Sequence, residues 1–348
     1  MASPEITALL DDLRDESAAL DRLVAGLPPD RWALDTPAAG WTVVHQIAHL
    51  AWTDRAALAA AVDPEEFRRM LAHAQEAPYD FVDHGAAEGA AQPPGVLLER
   101  WRQGRDELRR VLLAQPAGVR MPWFGPAMSV GGVASGRLME TWAHGQDVAD
   151  ALGVRRAPTA RLRHVVRIGV RTRDFAYAVN GLTPPAAEFR VELTAPGGGD
   201  DGDGGDGEVW AYGPEDAAER VTGPALDFCL LATQRVHRAD TALVAEGAEA
   251  ERWLGIAQAF AGPPGGGRPR AESGAGGSGA APVGDHAPGR TSAAPAGDPA
   301  PGRTDAEGPV GDPPAAARGR RDVEGPVGDS PPTAPGPTGA PTAPEVRP

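Results

Sequence analysis

The chain has 348 residues and a formal net charge of −15, and every fixed side-chain cation in it is an arginine. That balance argues against a nucleic-acid partner, because phosphate binding needs a net positive face. The single cysteine, Cys229, excludes an intrachain disulfide and suits a reducing compartment. The N-terminus lacks a leader-like apolar run, and no stretch approaches the ~20 apolar residues of a membrane span, so a soluble cytoplasmic protein without membrane contact is expected.

Ile6, Leu9, Leu10, Leu13, Leu20 and Leu23 recur at helical spacing over residues 3–26, and "GLPPD" ends that helix. "AAGW" leads into a second predicted helix over residues 42–62, and "DPEEFRRMLAHAQ" reads as a short third helix or an extension of it. Residues 76–94, rich in Gly, Ala and Pro, read as loop. A helix over 94–114 follows, with Val96, Leu97, Trp101, Leu108, Val111 and Leu112 on its apolar side. "PAGVRMPWFGPAMS" is a proline-rich connection, and Ser129 is placed to cap a helix over 130–152. Four long helices joined by loops predict a four-helix bundle spanning 1–155.

A connecting helix is expected within 156–182, and then the pattern changes. "EFRVELTA" and "EVWAYG" alternate with period two around the acidic turn "PGGGDDGDGGDG", which predicts a hairpin with an enlarged loop. "GPALDFCLLATQRV" returns to helix, "TALVAEG" is a short strand, and "EAERWLGIAQAF" closes the body as a helix. The fold class is therefore α+β: a helical bundle followed by a small α+β domain over 183–262.

From 263 to 348 the composition collapses. No Leu, Ile or Met follows Ile256, the last aromatic residue is Phe260, and "APGRT" and "EGPVGD" each recur. Such a segment buries too little apolar surface to offset its ordering entropy and is read as a disordered tail, a tether with a protein partner of its own as one reading. Removing it from residue 266 onward is expected to leave the body intact. It carries 10 acidic and 8 basic side chains, which leaves −13 on the rest of the chain.

Chemistry is concentrated on two of the bundle helices. "GWTVVHQIAHLAWTD" holds His45 and His49, and "LMETWAHGQDVADALG" holds Glu140 and His144, each pair four residues apart and so on one helical face. A lone pair of this kind is usually a solvated salt link. Two in one bundle offer the nitrogen and oxygen donors that zinc, iron(II) and nickel take, and bundle cores build metal sites from inward side chains on facing helices. Three protein ligands would leave positions open for water or substrate. The tryptophans Trp41, Trp52, Trp101 and Trp142 read first as core anchors, with Trp142 as a wall of the pocket in a second reading. Trp123 and Phe124 are a lid or simple loop packing. Cys229 reads as a buried apolar residue. His73, His84 and His286 need no role, and His164 and His237 read as surface residues.

These two stretches resemble the mycothiol-dependent maleylpyruvate isomerase family, in which Gly-Trp-Thr opens a helix ending in His-Leu and a later Glu-x-x-x-His is followed by Asp. The resemblance implies a DinB-like metal-binding bundle and assigns His49, Glu140 and His144 as ligands of a divalent metal, usually zinc. It gives His45 no ligand role, although the spacing permits one, and makes Asp147 a supporting residue. "GPALDFCLLATQR" is similar to that family's smaller C-terminal domain, where an arginine after the helix is implicated in activity; Arg235 is its best match. The implied activity is isomerisation or S-transfer with a low-molecular-weight thiol, mycothiol, and an electrophilic small-molecule substrate. The alternative is a metal-binding sensor or interaction module without catalysis.

Overall fold

Ser3 opens the first helix, its hydroxyl accepting from the Ile6 N–H, and the chain then enters α1 (Pro4–Val24). The fold is that of a computed structural model, which describes residues 2–77, 80–197, 207–262 and 264–271. One turn, α2 (Pro29–Trp32), precedes the long α3 (Val43–Val62); α4 (Pro64–Glu76), α5 (Phe81–Ala90) and α6 (Pro94–Ala114) follow. A two-residue hairpin, β1 (Arg120–Met121) with β2 (Met128–Ser129), leads into α7 (Val130–Leu152). Ser129 caps α7 through the Gly132 N–H, as expected, and Gly153 ends it in the left-handed conformation at φ 68°.

α1, α3, α6 and α7 form the bundle. Leu20, Val24, Ile47, Leu50, Leu97 and Trp101 fill one part of its interior. Leu10, Leu108, Leu112, Leu138 and Trp142 belong to a second cluster, which continues into the domain that follows. Each fully buried leucine contributes about 1.5–3 kcal/mol relative to an exposed one.

Within residues 76–94, expected as loop, Phe81–Ala90 form a helix. α5 lies against α3, and small residues let it approach: a Cβ on Gly89 would meet the Ala48 methyl, and one on Gly85 would meet the Trp52 ring. Glycine and alanine signal a loop in the sequence but here act as a helix-packing surface. The connecting helix is in fact two, α8 (Leu162–Arg171) and α9 (Arg173–Val179), divided at Thr172, whose hydroxyl donates to carbonyls of its own helix and to that of Gln258.

The small domain is a four-stranded sheet in the order β4-β3-β5-β6. β3 (Phe189–Thr194) and β4 (Val209–Tyr212) form the expected antiparallel hairpin; most of its acidic turn lies outside the described residues. β5 (Glu219–Pro224) runs parallel to β3 and was not anticipated. Only Val221 of that strand is buried, so period-two alternation is absent from it. α10 (Ala225–Ala232), β6 (Val244–Glu246) and α11 (Ala248–Leu254) complete the domain. Phe228 of α10 lies against Gly169 of α8, and Trp253 meets both Phe189 and Phe228 edge-on.

The ordered body continues beyond 262. Arg268, Arg270 and Ala271 all bond to residues far back in the chain, so the expected boundary lies too early. The rest of the predicted tail lies outside the described residues. Among the described residues no helix is long and apolar enough to cross a membrane.

Cys229 is fully buried on α10, its Sγ 3.7 Å from the Leu162 carbonyl, and burial pushes the thiol well above its ordinary pKa. A thiol both inaccessible and protonated does not react. Iodoacetamide should therefore label native protein hardly at all at neutral pH and label urea-unfolded protein fully; fast native labelling would show that α10 opens or is misplaced.

Candidate metal centre

The loop before α3 sets the site. The Thr36 N–H donates to the Trp41 carbonyl at 2.8 Å and the Val43 N–H to the Leu34 carbonyl at 3.0 Å, a short antiparallel bridge that delivers Trp41 and Thr42 to the start of α3. From α3, His49 faces α7. Its Nε2 lies 3.2 Å from Glu140 Oε2, and His144 Nε2 lies 3.0 Å from the same oxygen. One ligand atom from each of the three residues falls within 4.8 Å of the others, and they are the one group among the described residues that could hold a metal ion. His49 and His144 are 7% and 12% exposed and Glu140 is 25% exposed, so the cluster opens to solvent on the carboxylate side.

A chain of hydrogen bonds with a fixed direction determines how His144 is protonated. The Trp41 carbonyl can only accept. The Thr36 hydroxyl donates to it at 2.6 Å and accepts from the Gln46 amide nitrogen at 2.8 Å. Gln46 Oε1 therefore faces His144 Nδ1 at 2.5 Å, and that nitrogen must carry the proton. In the neutral ring Nε2 is then an acceptor pointing at a second acceptor, the Glu140 oxygen. A proton on His144 or a cation at the junction relieves that opposition. Two imidazoles and a carboxylate are the donor set of divalent metals, so these residues fit such an ion.

Burial, reinforced by neighbouring His144, pushes the His49 pKa down to about 4, so its imidazole is neutral at ordinary pH and its lone pair is available. Burial works against ionisation of Glu140, but contacts with His144 and His49 outweigh it and hold the carboxyl well below its usual range. His49 Nδ1 is buried with no protein partner.

A buried ion pair fixes the two helices against each other close by. Arg137, one turn before Glu140, places Nε 2.9 Å from Asp54 Oδ1, and its Nη2 reaches the Leu50 carbonyl. Both side chains are buried.

Aromatic rings enclose the centre differently from the sequence expectation. Trp41 is not a core anchor: it stacks on His144 with ring centroids 5.8 Å apart, lies 5.3 Å from His49, and its indole N–H donates to Asp83 of α5. Trp52 stands 6.3 Å from His49 and stacks on Phe124. Trp101 and Trp142 are buried core residues, and Trp142 is not among the rings that meet the histidines. Trp123 and Phe124 pack on Phe67, loop packing in place of a free lid. His73 and His84 meet edge to face and line a small cavity with Trp52 and Arg55.

His45 stands outside the cluster. Its Nδ1 accepts from the Thr42 N–H at the start of α3, which puts the proton of the neutral ring on Nε2 and leaves no free lone pair for a metal. Asp147, one turn beyond His144, is completely buried, and Arg235 reaches it at 2.8 Å. Arg268 takes the other carboxylate oxygen. Gln46, Thr36 and Arg268 were not foreseen. Of these, only Gln46 carried a signal, an uncharged polar residue on the helix face next to a histidine.

The model of the mycothiol maleylpyruvate isomerase N-terminal domain matches residues 13–149, which include all three cluster residues, and the model of wyosine base formation matches residues 185–246. Two uncharacterized proteins, from two strains of Mycobacterium tuberculosis, are each 55% identical over 257 residues, covering 74% of this chain and 96% of theirs. Crystal structures of a mycothiol-dependent maleylpyruvate isomerase and of a mutant of it share 14% identity at a TM-score of 0.45, covering 69% of this chain and 92% of theirs. Residues 13–149 thus belong to the mycothiol maleylpyruvate isomerase N-terminal domain family, and the chain as a whole belongs with the two uncharacterized mycobacterial proteins.

Proposed function

We propose that the protein is a thiol-dependent enzyme that holds one divalent ion, zinc, on His49, Glu140 and His144. It would use a low-molecular-weight thiol, mycothiol in this family, for isomerisation or S-transfer on an electron-poor small molecule. The observation that carries the reading is the meeting of His144 Nε2 and Glu140 Oε2 as two acceptors 3.0 Å apart, with the His144 proton committed to Gln46.

When bound, a Lewis-acidic ion lowers the pKa of a thiol ligand and makes thiolate available near neutral pH. The chain's own residues supply the rest. Gln46 holds the His144 ring, Trp41 and Trp52 flank the cluster and limit water, and the exposed side of Glu140 leaves an approach for a small molecule. No protein cysteine is required, in keeping with a buried Cys229.

Arg235 enters this reading as the cation that pairs with a carboxylate of the thiol or the substrate. Its guanidinium is held by Asp147 and by the Thr233 carbonyl, and its Nε has no protein partner. Arg235→Lys keeps the charge but loses the planar fork. In calorimetric titrations of mycothiol into zinc-loaded protein, this variant should keep its zinc while thiol affinity falls severalfold. Arg238→Lys, which pairs with Glu251 elsewhere, should change little. Equal affinity in wild type and Arg235→Lys would remove Arg235 from the thiol site. Zinc-loaded wild type that binds no thiol would instead favour the non-catalytic metal module.

A further inference from the structure

Residues 264–271 belong to a stretch whose composition predicts disorder, yet they are tied to the body by polar contacts. The turn into them is built by the Gln258 amide, which donates to the carbonyls of Phe260 and Gly262. Gly265 lies against the side-chain amide of Gln234, the residue before Arg235. At the far end Asp240 accepts from the Ala271 N–H at 2.7 Å. Between these points Arg268 reaches two places at once: Asp147 Oδ1 on α7 and the carbonyl of Pro37 in the loop before α3.

Both of those partners adjoin the metal centre. Asp147 lies one turn beyond His144 on the same helix. Pro37 follows Thr36, whose hydroxyl anchors the Gln46–His144 relay. Arg235 already pairs with Asp147, and Arg268, partly buried, adds a second cation to that carboxylate and to nearby Asp150. What Arg268 adds is a link between the helix that carries Glu140 and His144 and the loop that aims His144.

We infer that residues 264–271 form a strap that completes the metal centre, with Arg268 as a positioning residue that clamps Asp147 to the Thr36–Pro37 loop. This rests on the reading of His49, Glu140 and His144 as zinc ligands. Partners bonded directly to a metal ligand typically change metal affinity by about 10–100-fold; Arg268 acts one contact further out, so an effect near the lower end, about 10-fold, is expected here.

The test is competitive zinc titration of the full-length chain as wild type, Arg268→Ala, Arg268→Lys, Asp147→Asn and the Arg268→Ala/Asp147→Asn double variant, with helical circular dichroism at the same temperature. Arg268→Ala should bind zinc about 10-fold more weakly, with helicity unchanged because Asp147 keeps Arg235. Arg268→Lys should recover part of the loss, since one ammonium can still donate to both oxygens. The double variant should lose little more than Asp147→Asn alone, because the two residues act as a unit. The absorption spectrum of the cobalt-substituted protein should change in Arg268→Ala, which a purely structural role would leave alone. Wild type that binds zinc, with Arg268→Ala binding equally well, overturns the strap and leaves the centre standing. Wild type that binds no zinc overturns both.

Discussion

Purified protein is expected to carry close to one divalent ion per chain, and His49→Ala or Glu140→Ala to lose most of it. Glu140 Oε2 is the atom that both imidazoles approach, at 3.2 and 3.0 Å, so removing it takes away the point of convergence. Removing His49 takes the only ligand that α3 contributes. Either loss should exceed the ~10–100-fold typical of an outer partner. His45→Ala is the contrast: it disturbs the start of α3 but takes no donor from the cluster, and metal content should stay near that of wild type. Metal analysis after dialysis reads all three. Full occupancy in both His49→Ala and Glu140→Ala would remove this site.

Helical spacing made the two candidate pairs legible, because residues four apart share a face: Glu140 with His144, and His45 with His49. Spacing did not choose between the two histidines of α3; the resemblance to the isomerase family pointed to His49, and the structure brings His49 to Glu140 and His144. What remained hidden depends on contacts that spacing does not encode. Gln46 acts through a hydroxyl ten residues earlier, and only the bridged loop between Asp35 and Thr42 brings Thr36 under it. The same loop turns Trp41 over the histidines, so a residue that composition assigns to the core becomes a wall of the site. α5 was missed because its glycines and alanines mark turns in a sequence window but close helix approach in three dimensions. The strap was missed for a different reason. A disorder argument weighs apolar burial, and this segment is held by arginines and backbone hydrogen bonds.

The geometry of the trio also depends on how α3 and α7 register, and the buried Asp54–Arg137 pair sets that register. Arg137→Leu should destabilise the protein by about 3–5 kcal/mol, because it leaves an aspartate inside the bundle without its partner. At roughly 2–4 °C per kcal/mol for a body of this size, the melting midpoint should fall by about 10 °C. The pH dependence has a definite sign. Burial already raises the Asp54 pKa against the pull of Arg137, and losing the guanidinium raises it further. Between the unfolded value and this raised value the folded state binds more protons, so stability falls as pH rises through that window. The deficit of Arg137→Leu relative to wild type should therefore be largest at neutral pH and shrink on acidification, as Asp54 takes up its proton. Asp54→Leu/Arg137→Leu, which removes both charges, should recover much of the stability. A constant deficit across pH would mean that lost packing dominates. No deficit at all would mean that the pair does not hold the two helices together.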